Sequence, residues 1–187
     1  GSFADKRAAF LAMSQEYYQP ELITEQQVRD GALEHYDALY VLDQFVSRPV
    51  QDRIEGWVKQ GGLLWSCADA AIGDEYNEPW DLLERLGGIK RDRKSPPTAE
   101  VRIEPVAGET TFTPHPVPLR GRSKEVIRPG LFECADARVR ARYSDNQPAW
   151  IQKQIGKGTL VYLGHRCGLA YSRRTGKRGA FAWWPQL

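Results

Sequence analysis

Between Asp37 and Cys67 lies the pattern that most restricts what this chain can fold into: two short apolar runs joined by an amphipathic helix that stops at a glycine pair. Asp37-Ala38-Leu39-Tyr40-Val41-Leu42-Asp43 is apolar between charged ends. That is how a strand buried on both faces reads, because helices cover both sides of a parallel sheet. Ser47 stands where it can cap the next helix, with Pro49 in its first turn. Val50, Ile54, Trp57 and Val58 recur at i, i+4, i+7 and i+8 and give that helix one apolar face, which places Trp57 against the sheet. Gly61-Gly62 ends it, since glycine accepts the left-handed conformation at a helix C-terminus. Leu63 to Cys67 is a second buried strand. Strand, helix, strand is a βαβ unit with a right-handed crossover and parallel strands, the building block of a doubly wound α/β sheet.

The flanking sequence extends this unit. Ala4 to Tyr18 has helical spacing, with Ala8, Leu11, Ala12 and Gln15 along one stripe and Phe10 and Met13 beside it, and Pro20 stops it. Leu22-Ile23 reads as a short strand end. Thr24 and Gln27 form a capping box for a further helix that buries Val28, Ala32 and Leu33. A loop over Ala68 to Asn77 leads to a helix from Pro79 to Leu86, closed by Gly87-Gly88. A doubly wound domain usually opens on a buried strand, and nothing before Ala4 supplies one. Either that strand lies upstream or the sheet is smaller than usual.

The C-terminal half changes character. Ala99 to Ile103 and Val139 to Tyr143 alternate, and Gly156-Lys157-Gly158 between Trp150–Ile155 and Thr159–Leu163 signals a hairpin. The expectation is a single domain with a parallel α/β core over 1–93, a β-rich insertion over 94–155, and a closing strand and tail over 156–187. Gly1-Ser2 without an initiator Met, and the apolar ending Trp183-Trp184-Pro185-Gln186-Leu187, suggest a fragment of a larger protein.

Charge and composition narrow the functional classes. A net charge of +2 gives no support for a nucleic-acid partner. The basic runs Lys90 to Lys94 and Arg173 to Arg178 read as solvated loops. No apolar run reaches the roughly 20 residues of a membrane span, so no membrane partner is expected. Cys67, Cys134 and Cys167 are too few and too widely spaced for a disulfide framework or a CxxC site, and they leave the compartment open. With no metal-ligand spacing, no Walker loop and no GxGxxG, neither a metal nor a cofactor is expected.

Several segments then fall in an order that resembles a known family. Leu22-Ile23-Thr24-Glu25, Tyr36 to Leu42, Trp57-Val58-Lys59-Gln60-Gly61-Gly62 and Gly73-Asp74-Glu75-Tyr76-Asn77 look like the β-galactosidase trimerisation-type domain, a class I glutamine amidotransferase-like fold within multidomain glycosidases. Gly156 to His165 resembles the closing strand of that superfamily and the end of trehalose-utilisation (ThuA-like) domains. The resemblance covers about two-thirds of the chain. It implies a flavodoxin-like three-layer α/β/α sheet, mainly parallel, with the antiparallel section added in the C-terminal half.

In glutamine amidotransferases a nucleophilic cysteine follows a core strand at a strained turn into a helix, and a histidine follows a late strand. Cys67 and His165 occupy the matching places. The carboxylate that normally orients the histidine is replaced by Cys167, and the glycine after the nucleophile by Ala68, with Asp69 or Glu75 as substitute orienters. The acidic, aromatic loop with Asp74, Glu75, Tyr76 and Trp80 lies at the strand-end edge where α/β folds bind ligands, and its residue types suit a sugar.

The reading is a non-catalytic amidotransferase-like module of a larger carbohydrate-related protein. Its expected partners are the other domains of that protein, with a homo-oligomer and a carbohydrate as further options. The alternatives are a Cys-His hydrolase or amidotransferase using Cys67 and His165, and a carbohydrate-binding domain.

Overall fold

The structure is a computed structural model that describes residues 2–15, 18–92, 94, 100–120 and 126–172. Arg93 of the first basic run, the whole of the second, Ala99 and the apolar C-terminal ending lie outside the described residues. The expected βαβ unit is present. Strand β1 (Ala38–Val41) leads through helix α3 (Arg48–Gln60) to strand β2 (Leu63–Cys67), and the two strands run parallel with Ala38 opposite Leu63. Gly61 closes α3 at φ +137°, where its N–H reaches the last carbonyls of the helix. Helix α2 (Glu25–Arg29) starts at Thr24 with the full capping box to Gln27. Helix α1 (Ser2–Gln15) precedes it, and helix α4 (Leu82–Gly87) follows Asp81, whose carboxylate caps the N–H groups of Leu83 and Glu84.

The second half builds on the same sheet. Strands β4 (Val101–Pro105), β5 (His115–Val117), β7 (Arg138–Tyr143), β8 (Pro148–Ile155) and β9 (Gly158–Leu163) join β1 and β2 in the order β1-β2-β9-β8-β7-β4-β5. The β1-β2 and β2-β9 pairings are parallel and the other four antiparallel. A parallel core is thus continued sideways by an antiparallel section, hinged on the β8-β9 hairpin where Gly156 takes φ +59°. The short strands β3 (Lys90–Asp92) and β6 (Leu131–Glu133) form a separate antiparallel ribbon. The α/β, flavodoxin-like architecture stands as the pattern implies.

Two apolar clusters sandwich the sheet. On one face α1 and helix α5 (Cys167–Ser172) cover Leu42, Trp65, Val161 and Leu163; on the other α2, α3 and α4 cover Val41, Leu64, Leu160 and Tyr162. Burying two such faces supplies most of the driving force for a domain this size.

Five local expectations are corrected. The buried stripe of α1 is Ala8, Ala9, Ala12 and Met13, while Leu11 points out at 47% exposure. The reason is close packing: α5 crosses so near that a side chain at Gly168 would overlap the Asp5 carbonyl, and only small residues fit beneath it. Trp57 is half-buried and lies flat over Gly62, so Val50, Gln51, Ile54 and Val58 form the buried face of α3. Ser47 does not cap α3 with its side chain; its hydroxyl donates to Glu25 at 2.6 Å. Leu22-Ile23 is not a strand, and β1 is an edge strand, half-buried at three of its four residues.

Candidate functional site

Cys67 ends β2 in ordinary extended backbone, and no helix follows it. Its carbonyl accepts from Ala70 N in a turn, and the next helix begins only at Leu82. The left-handed residues come later, at Asp69 (φ +69°) and Ala71 (φ +48°). The strained elbow and the helix N-terminus that lower a nucleophile's pKa are therefore both absent at Cys67.

The thiol faces inward. Cys67 is 1% exposed, and its Sγ lies 3.5 Å from the Asp5 carboxylate and beside Cys167. A hydrogen bond with Cys167 favours the thiolate, but burial and the Asp5 charge outweigh it and raise the pKa. Burial, with Cys67 and Asp5 adding to it, lifts the Cys167 thiol well above its ordinary value. Burial also raises Asp5, against the pull of the Leu169 N–H.

Asp5 was not among the expected site residues, although a signal existed. It stands at i and i+4 with Ala9 on the face of α1 that is actually buried, and an acid there needs a partner. Its partner is α5, whose Leu169 N–H donates to Oδ1 at 2.8 Å. Asp5, Cys67 and Cys167 bring their potential ligand atoms within 4.8 Å of one another, a convergence from residue 5 to residue 167 that local spacing does not reveal. These three could hold a thiophilic cation only by giving up protons that burial holds in place.

His165 is fully buried just beyond β9. Its Nδ1 lies 2.8 Å from the hydroxyl of Tyr143 on β7, and Nε2 has no hydrogen-bond partner among the described residues. A Cβ at Gly164 would stand 2.6 Å from the Phe132 ring and 3.0 Å from the Tyr143 hydroxyl, so glycine lets both pack against the end of β9. Burial, aided by the nearby charges of His115 and Arg128, pushes the His165 pKa down to about 3. Burial likewise holds Tyr143 well above its ordinary range, and Arg128 stacks 3.9 Å over its ring. His165 is thus a neutral ring held by a tyrosine and makes no hydrogen bond to Cys67. Neither substitute orienter reaches it: Asp69 pairs with Arg166 at 2.8 Å, and Glu75 accepts from Arg48 N at 3.0 Å. His115 is buried on β5.

The acidic loop is organised by one carboxylate. Asp74 has no exposed surface and accepts from Tyr76 N and Glu78 N, both at 2.9 Å, and from Arg48 Nε at 2.7 Å. Desolvation pushes its pKa up, but the two N–H groups and the guanidinium outweigh it and hold it below the usual value. Arg48 and Arg85 both stack on Trp80, at 4.5 and 4.7 Å from the ring centre. Of the four predicted ligand residues, Glu75 and Tyr76 are exposed, Tyr76 at 75%, while Trp80 is half-buried.

No family model and no curated protein matches the chain. Solved structures do. The chain is similar to part of Gan42B, a GH42 β-galactosidase from G. stearothermophilus, with 20% identity and a TM-score of 0.56 over 79% of this chain and 22% of that one. An exo-β-1,4-mannosidase, Op5Man5 from Opitutaceae bacterium strain TAV5, matches at 13% identity and a TM-score of 0.67 over 95% of this chain and 29% of that one. A ThuA-like protein from Bacteroides uniformis matches at 14% identity and a TM-score of 0.60 over 88% of this chain and 76% of that one. The chain therefore shares its fold with a segment of glycoside-active enzymes and with a ThuA-like protein, and it spans less than a third of the length of those two glycosidases.

Proposed function

We propose that this chain is a non-catalytic amidotransferase-like module of a larger carbohydrate-related protein, akin to the β-galactosidase trimerisation-type domain, and that it serves assembly or domain packing beside a sugar site. One observation carries the non-catalytic part: Cys67 and His165, the pair that would do the chemistry, are both sealed and each is bonded to something else. Acyl transfer needs a thiolate, an oriented base and donors aimed at an oxyanion. Here the thiol pKa is raised, the histidine is neutral and turned to Tyr143, and no helix N-terminus meets the strand end. The fold likeness to segments of a GH42 β-galactosidase and an exo-mannosidase supports the carbohydrate context.

The test has two arms. Iodoacetamide on the native chain should leave Cys67 and Cys167 unlabelled while the partly exposed Cys134 reacts, with no glutamine hydrolysis; labelling of native Cys67 together with turnover lost in Cys67→Ser overturns the reading in favour of an enzyme. Deleting this module from its full-length parent should change the oligomeric mass in sedimentation while the neighbouring domain keeps its kcat. An unchanged mass removes the assembly role.

A further inference from the structure

Three side chains from distant parts of the chain meet beneath α5. Asp5 comes from α1, Cys67 is the last residue of β2, and Cys167 is the first residue of α5. All three are buried, and one ligand atom of each lies within 4.8 Å of the other two. Among the described residues no other group of three metal-ligating side chains converges in this way. The assembly role proposed above uses none of them.

Backbone packing holds the cluster in place. α1 and α5 touch at Gly168, where an added Cβ would stand 2.1 Å from the Asp5 carbonyl. Asp5 Oδ1 is taken by the Leu169 N–H at 2.8 Å, which leaves Oδ2 to accept from Cys67 Sγ at 3.5 Å. Cys67 also hydrogen-bonds with Cys167. The two sulfurs therefore face each other with a carboxyl group beside them, inside the apolar cluster that holds Ala9, Trp65 and Leu163.

Facing thiols in an apolar setting select a soft cation of low coordination number. Thiolates favour Cu(I) and zinc over harder ions. A closed structural zinc site takes four ligands, and this cluster offers three. Cu(I) is satisfied by two thiolates in line. At about 2.3 Å per metal–sulfur bond, such a pair of sulfurs stands about 4.6 Å apart, within the span of the cluster. Charge balance agrees. A monovalent ion between two thiolates leaves one net negative charge, and the positive charge of Arg166 is already felt at Asp5. Burial keeps Asp5 in its protonated form, whose O–H can turn toward the Cys67 sulfur. Without the ion the three groups are neutral and hydrogen-bonded, so folding does not depend on metal.

We propose that Cys67 and Cys167 form a two-thiolate site for one Cu(I) ion, with Asp5 as a positioning residue that orients the Cys67 sulfur. Two S–Cu bonds form as two thiol protons leave to solvent, and no atom changes oxidation state. The bound ion ties the end of β2 to the start of α5.

Anaerobic titration of the Cys134→Ser chain with Cu(I)–bicinchoninate tests it, since that background removes the partly exposed thiol. One ion per monomer should leave the chelator, with a thiolate-to-copper band in the ultraviolet and two equal sulfur neighbours by X-ray absorption. Refolding the chain from urea with the complex present should load the same amount, which separates slow entry into a buried site from lack of affinity. Cys67→Ser and Cys167→Ser should each lose more than about 100-fold in affinity, beyond what a positioning residue contributes, and Asp5→Ala should lose about 10-fold. The X-ray absorption result decides even where a serine variant fails to fold. No transfer after refolding overturns the proposal. So does a single sulfur neighbour, an ion shared between two chains, or full affinity in either folded serine variant.

Discussion

Tyr143 Oη and His165 Nδ1 stand 2.8 Å apart across the β7 and β9 ends of the sheet, and this contact orients a buried ring that burial keeps neutral. It has a consequence for acid stability. The folded-state pKa, pushed down to about 3 by burial, lies below the ordinary 6.5. Between those values the unfolded chain binds a proton that the folded chain refuses, so stability is complete above about pH 6.5 and falls as the pH drops toward 3. At pH 4.5 the loss from this one group is about 2–3 kcal/mol, from roughly two pKa units at 1.36 kcal/mol each. Urea titrations at pH 7 and 4.5 check it: His165→Gln should lose less stability over that interval than the parent chain. Equal losses would mean that His165 accepts a proton without unfolding.

Asp5 tests whether the buried cluster is held by a carboxylate or only by its shape. Its Oδ1 serves the Leu169 N–H, and burial already favours the protonated acid. Asp5→Asn keeps an acceptor for that N–H without a charge to desolvate, so it should be close to neutral or stabilising near pH 7. Asp5→Ala leaves the N–H of Leu169 buried and unmet and should cost about 1–3 kcal/mol. Thermal unfolding of the two variants decides. A cost in Asn as large as in Ala would show that the negative charge itself holds α5 in place.

What was legible in the sequence was local. The strand-helix-strand unit from Ala38 to Cys67, the Thr24–Gln27 capping box and the Gly156 hairpin each carry their signal within a few residues, and each stands where that signal places it. What was hidden depends on contacts between distant segments. The Leu11 and Trp57 assignments failed because helical period gives a stripe but not its phase, which the close approach of α5 and the flat seat over Gly62 decide. The surroundings of Cys67 and His165 are set by Asp5 and Tyr143, 62 and 22 residues away. Matching positions in a motif therefore located the two residues without revealing that each faces a partner other than the other.

Two glycines on helices should respond in opposite directions to the same added methyl group. Gly56 lies within α3 with nothing within 4 Å of where a Cβ would stand, so alanine there removes the backbone freedom of glycine from the unfolded chain at no steric cost. Gly56→Ala should stabilise by about 0.5–1 kcal/mol. Gly168 sits in the first turn of α5, where a Cβ would overlap the Asp5 carbonyl and crowd Ala9 N. Backbone cannot rotate away as a side chain can, so the α1–α5 pair must separate and the Asp5–Leu169 hydrogen bond must lengthen. Gly168→Ala should cost about 1–3 kcal/mol, as overpacking does in a filled core. Chemical denaturation of both variants, with exchange of the Leu169 amide as a local reporter, checks the pair. If Gly168→Ala were tolerated with the Leu169 amide still protected, α1 and α5 would have room between them that this packing does not allow, and the alanines Ala8, Ala9 and Ala12 in the buried stripe would need another explanation.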